Sequence, residues 1–491
     1  MYSGSGFKNS ELGDIDIVKE GDLYHLFHLV LPNHDYIAHA ISSDGFLWKR
    51  VKNSLFIGDP GSWDDDMLWT MHTSPDPHGS FSWRMFYTGI SRKEMGRLQR
   101  IGIARSDDLY EWKKEEGKDV PLMIDGPHYE EALCEGRNWV SCRDPFFFHE
   151  NEKRLLLISA RVPHGPVVRR GCVGIAQETS PNKFEWLPPL FYPRLYDDIE
   201  VPSLYKINGR YYLIGNIRED VKVHYWYSED LFGEYEAFCD NVLLPKGNYA
   251  ARITKDEDSY LVWNFFTSDL PGEGGHLFPP PKNIVIGKDG HLELQSFSGF
   301  DKKVTTRWEQ DALTPIRRVL KNPTAKAYIE SDQIFLQANS GYELFFLNKN
   351  SLNFRLRFNI SMQGVGKTGV MCKADNDANG YFISLDLING FAQIRSWGQC
   401  NNGDFDKAFE YKNIQENNFH ISPKLTYRIE VICFGGYIEL SIDDRIALSL
   451  VDTFYMSLSE LGIYLESAQV TINNLMLEDL DGPINEDYGP L

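Results

Sequence analysis

The chain has few cysteines, and their placement excludes two kinds of site. Seven cysteines are spread over 491 residues, their number is odd, and no two form a Cys-x-x-Cys pair. Zinc ribbons and thioredoxin-type redox sites need such pairs, and a complete disulfide framework needs an even count. We therefore expect scattered reduced thiols, no bound metal and no cofactor.

Basic residues and long apolar runs are also scarce. The 50 Lys and Arg against 70 Asp and Glu leave a formal charge of −20, which argues against the basic surface that nucleic acids and anionic membranes require. No run of 18 apolar residues is present, and the first residues lack the basic and apolar regions of a signal peptide. These patterns predict a cytoplasmic protein, or a secreted or periplasmic one if a leader has been removed. The expected partner is a small-molecule or oligosaccharide substrate, and the oligomeric state stays open.

Aromatic residues, in contrast, are abundant. They make up 13% of the chain, within a total of 42% hydrophobic residues. β-Strands and carbohydrate-binding clefts both favour aromatic side chains. A chain of this length buries a large core, and its length suggests about three domains at roughly 150 residues each.

One pattern recurs five times in the first three hundred residues. It consists of an apolar strand, a charged turn with Gly or Asn, and a second strand rich in aromatic residues; the copies are 15–30, 68–90, 144–162, 201–217 and 250–266. A third strand and an outer strand that ends in an aromatic residue follow the first copies. Four strands per unit, repeated radially, predict an all-β fold with a five-bladed β-propeller over residues 1–305. An unrepeated β-sandwich would give no reason for such a period.

A second region follows the repeats. Residues 306–325 have mixed charge and two prolines, which predicts a linker that contains a short helix. Alternation of apolar and polar residues returns over 326–480 and predicts a C-terminal antiparallel β-sandwich of the jelly-roll, concanavalin-like type. Residues 481–491 are expected to be a poorly fixed tail. The length therefore corresponds to two domains rather than three.

Three acidic residues occupy equivalent places in the repeats. Ten residues before the second strands of the first, third and fourth copies lie Asp14, Asp144 and Glu200. Inner strands of a propeller begin at one mouth of its central channel, so these carboxylates are expected to meet there. Glycosidic bond cleavage needs one acid to protonate the leaving oxygen and one carboxylate to attack or to activate water. Crowding raises the pKa of at least one of them, which lets it hold a proton near neutral pH.

Several motifs, in order along the propeller, resemble those of glycoside hydrolase family 32, the β-fructosidases, in the clan shared with family 43. The similar segments are YHLFHL (24–29), HAISSDGFLWKR (39–50), GSWDDDMLWTMHTS (61–74), CRDPFFF (142–148), DIEVPSLYKINGRYYLIGN (198–216) and HLFPPPKNIVIGKDGHLEL (276–294). A C-terminal sandwich is also typical of that family. The resemblance implies that Asp14 is the nucleophile, Glu200 the general acid/base and Asp144 the stabiliser of the transition state. Arg143 would bond sugar hydroxyls.

The resemblance also implies further substrate contacts. Trp69 and Thr70 fall where the family places an aromatic residue and a serine against the substrate, and Trp263 matches an aromatic residue near the pocket rim. The first blade departs from the family, because ELGDIDI replaces the Trp-Met-Asn-Asp-Pro-Asn-Gly opening and its spacing agrees better with family 43. Asp16, on the same strand face as Asp14 by period 2, is therefore a second candidate for the nucleophile and a candidate substrate contact. Asp14 is preferred because its offset equals that of the other two acids.

The function predicted from these residues is hydrolysis of furanosides, as a retaining β-fructofuranosidase or fructan-type hydrolase, or as a fructosyltransferase. Two alternatives stay open. One is an inverting arabinofuranosidase-type enzyme of the same clan, and the other is a non-catalytic sugar-binding relative. The sandwich is expected to support the propeller, although a carbohydrate-binding module is also compatible with it.

Overall fold

Antiparallel sheets make up most of the chain in the computed structural model, which describes residues 2, 4, 11–267, 278–314, 316–330, 332–400, 408–419 and 426–483. Among these residues, no helix is long and apolar enough to cross a membrane. The segments with helical hydrogen bonding are short 3-10 turns, at Arg92–Glu94, Val167–Arg169, Ser298–Lys303 and Gln310–Leu313.

Five sheets follow one another along the described part of residues 11–295, and each uses its strands in chain order, apart from the extra strand β5, which pairs with β3. Blade 1 contains β1 Glu11–Glu20, β2 Leu23–Leu31, β3 Tyr36–Ser42, β4 Lys49–Arg50 and β5 Leu55–Phe56. Blade 2 contains β6 Met67–Pro75, β7 Trp83–Ile90, β8 Gln99–Ser106 and β9 Lys113–Lys114. Blade 3 contains β10 Arg143–Glu150, β11 Lys153–Arg161, β12 Gly171–Ser180 and β13 Lys183–Phe191. Blade 4 contains β14 Glu200–Ile207, β15 Arg210–Ile217, β16 Lys222–Ser228 and β17 Val242–Leu244, and blade 5 contains β18 Asn248–Asp256, β19 Ser259–Phe266, β20 Lys282–Ile286 and β21 Leu292–Gln295.

The first strands of the blades form the inner ring. β1, β6, β10, β14 and β18 contact one another in that order and close the ring from β18 back to β1. Apolar side chains fill the space between neighbouring blades; between blades 3 and 4, for example, Leu157 and Ile175 share a buried cluster with Leu204 and Leu213. Burial of both faces of each sheet explains why the strands read as almost continuous apolar runs. The predicted five-bladed propeller is confirmed.

Every inner strand breaks its register at the same place, near its start. The breaks lie between Leu12 and Ile15, Trp69 and Met71, Arg143 and Phe146, Glu200 and Ser203, and Tyr249 and Arg252. Within them, Asp144, Val201 and Ala250 have left-handed backbone with φ of 57°, 48° and 51°. A β-bulge adds a residue to one strand, bends it and turns the local side chains in a new direction. All five blades thus turn irregular backbone toward the same mouth of the channel.

Blade 1 and blade 5, like the other neighbouring blades, share no strand in the described sheets, and side-chain contacts join them. A backbone hydrogen bond of 2.8 Å from the Phe278 N–H to the Tyr2 carbonyl adds to these contacts. Lys19 and Tyr24 of blade 1 both bond the Asp256 carboxylate, the Tyr24 bond being 2.6 Å long. Beside them the Trp263 ring packs against Tyr24 at 5.0 Å and against Trp48 at 5.8 Å between centroids. We call this junction the seam.

The remaining strands form a C-terminal sandwich. They are β22 Val304–Glu309, β23 Arg317–Arg318, β24 Ala325–Glu330, β25 Gln333–Phe346, β26 Phe354–Gln363, β27 Lys367–Ala374, β28 Gly380–Asp386, β29 Phe391–Cys400, β30 Ala408–Asn418, β31 Tyr427–Phe434, β32 Tyr437–Ile442, β33 Arg445–Val451 and β34 Glu460–Leu480. The 21-residue β34 pairs with β27 and β25 in its first half and with β26, β25 and β22 further on. Because β34 passes from one layer to the other, the two layers are one hydrogen-bonded network. The predicted sandwich is confirmed.

The region predicted as a linker, 306–325, is largely built into this domain. Most of β22 and all of β23 lie in it, and they pair with β34 and β25. The structure also places a 3-10 turn, Gln310–Leu313, where a short helix was expected. This segment has little alternation of apolar and polar residues of its own, and backbone pairing with the long strands β25 and β34 orders it. Of the predicted tail, 484–491 lies outside the described residues.

Polar and aromatic contacts join the sandwich to the seam. Phe46 of blade 1 packs against Phe300 and against Phe434 of the sandwich, at 5.0 and 5.3 Å between centroids. On the blade 5 side, the Asn248 amide donates 2.8 Å to the Ser449 carbonyl, and the Gln415 amide donates 2.6 Å to the Lys246 carbonyl. The sandwich therefore covers both sides of the junction between the first and last blades.

Candidate active site

A pocket of about 230 Å³ opens at the bulged ends of the inner strands. Six of the eight residues predicted from the sequence line it: Asp14, Trp69, Thr70, Arg143, Asp144 and Glu200. Each side chain enters the pocket at the bulge of its own blade, because the extra residues there turn the side chains into the channel mouth. The three acids, each ten residues before the second strand of its hairpin, therefore lie together in the folded protein.

The Thr70 hydroxyl bridges two of the carboxylates. Thr70 Oγ1 contacts Asp14 Oδ2 and lies 2.8 Å from Asp144 Oδ1. A hydroxyl has one hydrogen and can donate it to only one carboxylate. A proton on Asp14 satisfies both contacts, because Asp14 then donates to the Thr70 oxygen while Thr70 donates to Asp144.

The environment of Asp14 favours that proton. Burial, followed by the negative charge of Asp144, raises the pKa of Asp14 to about 7, against a smaller opposing effect of the Thr70 hydrogen bond. Asp144 is fixed by its own contacts, since its Oδ2 accepts the Val201 N–H at 3.0 Å and its N–H donates to Thr88 Oγ1 at 3.0 Å. The cluster can therefore hold a shared proton near neutral pH.

Glu200 is held from two sides. Its Oε1 accepts a hydrogen bond of 2.7 Å from Arg143 Nη2, and its Oε2 accepts one from the Tyr249 hydroxyl. Burial raises the pKa of Glu200, and Arg143 opposes this rise. Arg143 is itself oriented by Asp198 at 3.1 Å and by Ser141 at 2.6 Å. Glu200 thus has the raised pKa that a proton donor needs and a fixed orientation.

Two predicted site residues lie elsewhere. Trp263, predicted at the pocket rim, is fully buried at the seam, where its Nε1 donates 2.8 Å to Thr254. It lies on β19, a second strand, whose two faces are covered by other parts of the fold. Asp16 lies below the pocket, where it accepts the Thr73 N–H at 2.6 Å and pairs with Arg252 at 3.2 Å. These buried partners occupy the Asp16 carboxylate, so Asp16 holds the inner strands together below the pocket.

Sequence reasoning missed Tyr249, which also lines the pocket. The same count of ten residues leads to Ala250 in blade 5, one position away, so the repeat contained a signal for this place. In blade 2 the count leads to Ser74, because the longer turn of this hairpin shifts the offset. The count of ten residues therefore does not lead to Thr70, which could be predicted only through the family resemblance, whereas Trp69 could also be predicted because it lies at the start of the second blade, where three other blades carry acids.

A larger cleft of about 670 Å³ adjoins the pocket, and we call it the outer cleft. The pocket and the outer cleft share Trp69, Arg143 and Glu200. Side chains from blades 2 to 4 and their connections complete the wall of the outer cleft, among them Asp66, Arg92, Gln99, Asn138, Trp139 and Arg218. Glu200 therefore stands at the boundary between a small space and a larger one. Within the described residues, no group of three His, Cys, Asp or Glu side chains is arranged to hold a metal ion.

A five-bladed propeller followed by a C-terminal sandwich is also the fold of several solved structures that resemble this chain along nearly its whole length. Fructan 1-exohydrolase IIa from Cichorium intybus is 12% identical with a TM-score of 0.69, over 96% of this chain and 95% of the other. Exo-inulinase from Aspergillus awamori is 12% identical with a TM-score of 0.68, over 96% of each chain. Sucrose-6-phosphate hydrolase from Lactobacillus gasseri is 15% identical with a TM-score of 0.67, over 96% of this chain and 91% of the other.

No family model and no curated protein sequence matches the chain. At 12–15% identity the likeness to the three structures is one of fold, and it extends over both domains. The resemblance stated from the sequence motifs is confirmed at that level.

Proposed function

We propose that the protein is a retaining glycosidase that acts on β-fructofuranosides, by hydrolysis or by transfer of the fructosyl unit. The observation that carries this proposal is the convergence of Asp14, Asp144 and Glu200 on one pocket, with a raised pKa for Asp14 and Glu200. The likeness to fructan, inulin and sucrose 6-phosphate hydrolases supports the choice of a fructosyl unit.

In the proposed reaction the fructosyl unit occupies the pocket and the leaving sugar occupies the outer cleft. Glu200, at the boundary, protonates the glycosidic oxygen as the bond to the anomeric carbon breaks. Asp14 in its carboxylate form attacks that carbon and forms a covalent ester. Glu200 then removes a proton from water or from an acceptor hydroxyl, whose oxygen displaces Asp14. Asp144 and Arg143 hold the sugar hydroxyls and stabilise the developing positive charge.

The state of Asp14 determines the acidic limit of this reaction. An attacking carboxylate must be deprotonated, and its raised pKa of about 7 means that the fraction in the carboxylate form falls as the pH falls below that value. We expect kcat/KM to decline on the acidic side accordingly. Below that pH most of the free protein carries the proton on Asp14, and only the form that has lost it can begin the reaction.

The proposal is tested by screening sucrose, inulin, levan, difructose anhydrides and aryl furanosides for released sugar. Asp14→Asn, Asp144→Asn and Glu200→Gln are each expected to lower kcat by a factor of at least about 10², with thermal unfolding unchanged. Glu150→Gln is the matched control, because Glu150 is the last residue of β10, the strand in which Asp144 is near the start. Full turnover by one of the first three variants would remove that residue from its role.

The stereochemistry of the first-formed product is a separate test. Retention of the anomeric configuration in NMR spectra of fresh product supports the ester on Asp14. Inversion would favour the arabinofuranosidase-type mechanism instead. Binding of glycans by calorimetry without turnover of any of them would favour a sugar-binding protein.

A further inference from the structure

We propose that Asp198 is a positioning residue for the general acid: it shares the Arg143 guanidinium with Glu200 and so lets Glu200 keep the proton that it must donate. This inference rests on the proposed function and adds to it a side chain that acts through Arg143. It follows from the way in which the hydrogen bonds of Arg143 are divided among its neighbours.

Arg143 has two opposing effects on the proposed reaction. It holds the Glu200 carboxyl group in place with a bond of 2.7 Å from Nη2 to Oε1. A guanidinium at that distance favours the ionised form of a carboxyl group, whereas a general acid must enter the reaction protonated. The proposed role of Glu200 therefore requires a second anion that takes up part of the charge of Arg143.

Asp198 is placed to be that anion. Its Oδ2 accepts a hydrogen bond of 3.1 Å from Nη2 of Arg143, the same nitrogen that donates to Glu200. Nη1 of Arg143 donates 2.6 Å to the Ser141 hydroxyl, and Ser141 Oγ lies 3.3 Å from Asp198 Oδ1. Because Nη2 carries two N–H groups, one is directed to Asp198 and the other to Glu200. The guanidinium is thus shared between the two carboxyl groups.

Asp198 is fixed and shielded from water. Its Oδ2 also accepts 2.5 Å from Nη2 of Arg161, and both side chains of this pair are 0% exposed. The nearby Cys172 thiol carries no charge at neutral pH, because burial and then the Asp198 charge raise its pKa. A buried ion pair is often no more stabilising than apolar side chains of similar volume. Stability alone therefore gives little reason for a carboxylate at this place, whereas the charge of Arg143 beside a general acid gives one.

Ionisable groups from several blades face Glu200. They are Arg143 and Asp144 of β10, Asp14 of β1, Tyr249 of β18, Asp198 just before β14 and Arg218 just after β15. Burial has the largest effect on the pKa of Glu200 and raises it; the Arg143 charge lowers it. Asp144 and Asp198 raise it, against the hydrogen bond from Tyr249. Arg218 is farther away, at 4.0 Å from the nearest oxygens of both Asp198 and Glu200.

Removal of the Asp198 charge should strengthen the effect of Arg143 on Glu200. In Asp198→Asn a nearby negative charge is lost, and the guanidinium interacts with Glu200 without a competing anion on Nη2. Both changes favour the ionised form of Glu200, so its pKa falls. The protein then loses its general acid at a lower pH, and we expect the basic limb of the pH profile of kcat/KM to move to lower pH.

Asp197→Asn is the matched control. Asp197 precedes Asp198 and also pairs with Arg161, at 3.4 Å, but its second partner is Arg137, at 2.5 Å, in place of Arg143. The control removes the same charge from the same segment, and the basic limb should stay in place. Asp198→Glu keeps the charge and should restore part of the wild-type profile.

A double variant protects the test against loss of the fold, since Asp198→Asn alone weakens the pairing of the buried Arg161. Asp198→Asn combined with Arg161→Gln removes the buried pair together and leaves the net charge unchanged. Its basic limb should still move to lower pH, because Arg143 no longer has Asp198 as a partner. A basic limb that stays in place in the double variant would overturn the inference.

The ionisation of Glu200 can also be followed without turnover, which separates this inference from the proposed function. In protein labelled with ¹³C at the side-chain carboxyl group of glutamate, the Glu200 signal is the one that disappears in Glu200→Gln, and its titration by NMR gives the pKa. A lower pKa in Asp198→Asn and in the double variant, with no change in Asp197→Asn, supports the inference even if no sugar is cleaved. If Glu200 titrates alike in the wild type and the double variant, the inference is wrong even if fructosides are cleaved.

Discussion

Replacement of Tyr249 by Phe tests how the protein controls the ionisation of Glu200. The Tyr249 hydroxyl donates to Glu200 Oε2, and this bond lowers the pKa of a carboxyl group that burial raises. Phe retains the ring and its edge contact with Phe265, at 5.8 Å between centroids, so the change removes the donor and little else.

The size of the effect follows from the nature of the bond. A hydrogen bond to a charged group contributes about 1.5–3 kcal/mol, and one pKa unit corresponds to about 1.4 kcal/mol. The Glu200 side chain is 16% exposed, so water can replace part of the bond; we expect a loss near the lower end of this range and a rise in the pKa of Glu200. The sign is upward, because the lost bond favoured the ionised form.

The assay is the pH dependence of kcat/KM between pH 4 and pH 9. Glu200 must be protonated to act as general acid, so loss of activity at high pH reports its pKa in the free protein. The basic limb should move to higher pH in Tyr249→Phe. Tyr211→Phe serves as control, since Tyr211 donates to Glu150 at 2.6 Å, at the opposite end of the inner strands. A basic limb that stays in place, or one that moves to lower pH, would refute the assignment of Glu200 as the acid held by Tyr249.

Three further predictions concern the framework. Burial lowers the pKa of both His28 and His39 to about 3. In the unfolded chain these histidines gain protons below about pH 6.5, whereas in the folded protein they do not, so the free energy of unfolding should fall by about 1.4 kcal/mol per histidine and pH unit from pH 6 to 4. Urea titrations at several pH values should show a smaller slope in His28→Gln. Trp263→Ala should lower the free energy of unfolding by about 3–5 kcal/mol and leave KM unchanged below the unfolding temperature. A raised KM would show that Trp263 contributes to substrate binding after all. Asp16→Asn should cost about 3 kcal/mol of stability because it leaves Arg252 buried without its charge partner, whereas Asp14→Asn should lose turnover and keep its melting temperature; the reverse pattern would exchange their roles.

The fold could be predicted from the sequence because it is repeated. One hairpin of ordinary appearance predicts little, but five copies at similar intervals require a radial arrangement, and the position of Asp14, Asp144 and Glu200 within the copies then follows. The count failed in blade 2, where a longer turn moves Thr70 away from the common offset. Turn length changes the numbering without changing where the inner strand begins.

Other features depend on contacts that no local pattern records. Trp263 has the same residue type and strand context as a pocket aromatic residue, and only the packing of blade 1 against it shows that it is covered. The strands within 304–318 have weak alternation of their own; β22 is ordered by pairing with β34, more than a hundred residues further on, and β23 by pairing with β25. Arg218 directly follows the buried end of β15 and belongs to no sequence motif. Its ring contact is with Trp139, which lies in the connection between blades 2 and 3.

The long strand β34 has a consequence for how the protein is made. It occupies residues 460–480 and pairs with strands of both layers, so neither layer is complete until that stretch has left the ribosome. The sandwich in turn covers the seam through Phe434, Ser449 and Gln415. Blades 2 to 4 can assemble during translation, while the complete sandwich can cover the junction of blade 1 with blade 5 only after synthesis has reached the last strand. Ribosome-bound chains that stop before residue 460 should therefore leave the seam more open to proteases and chaperones than the finished chain does.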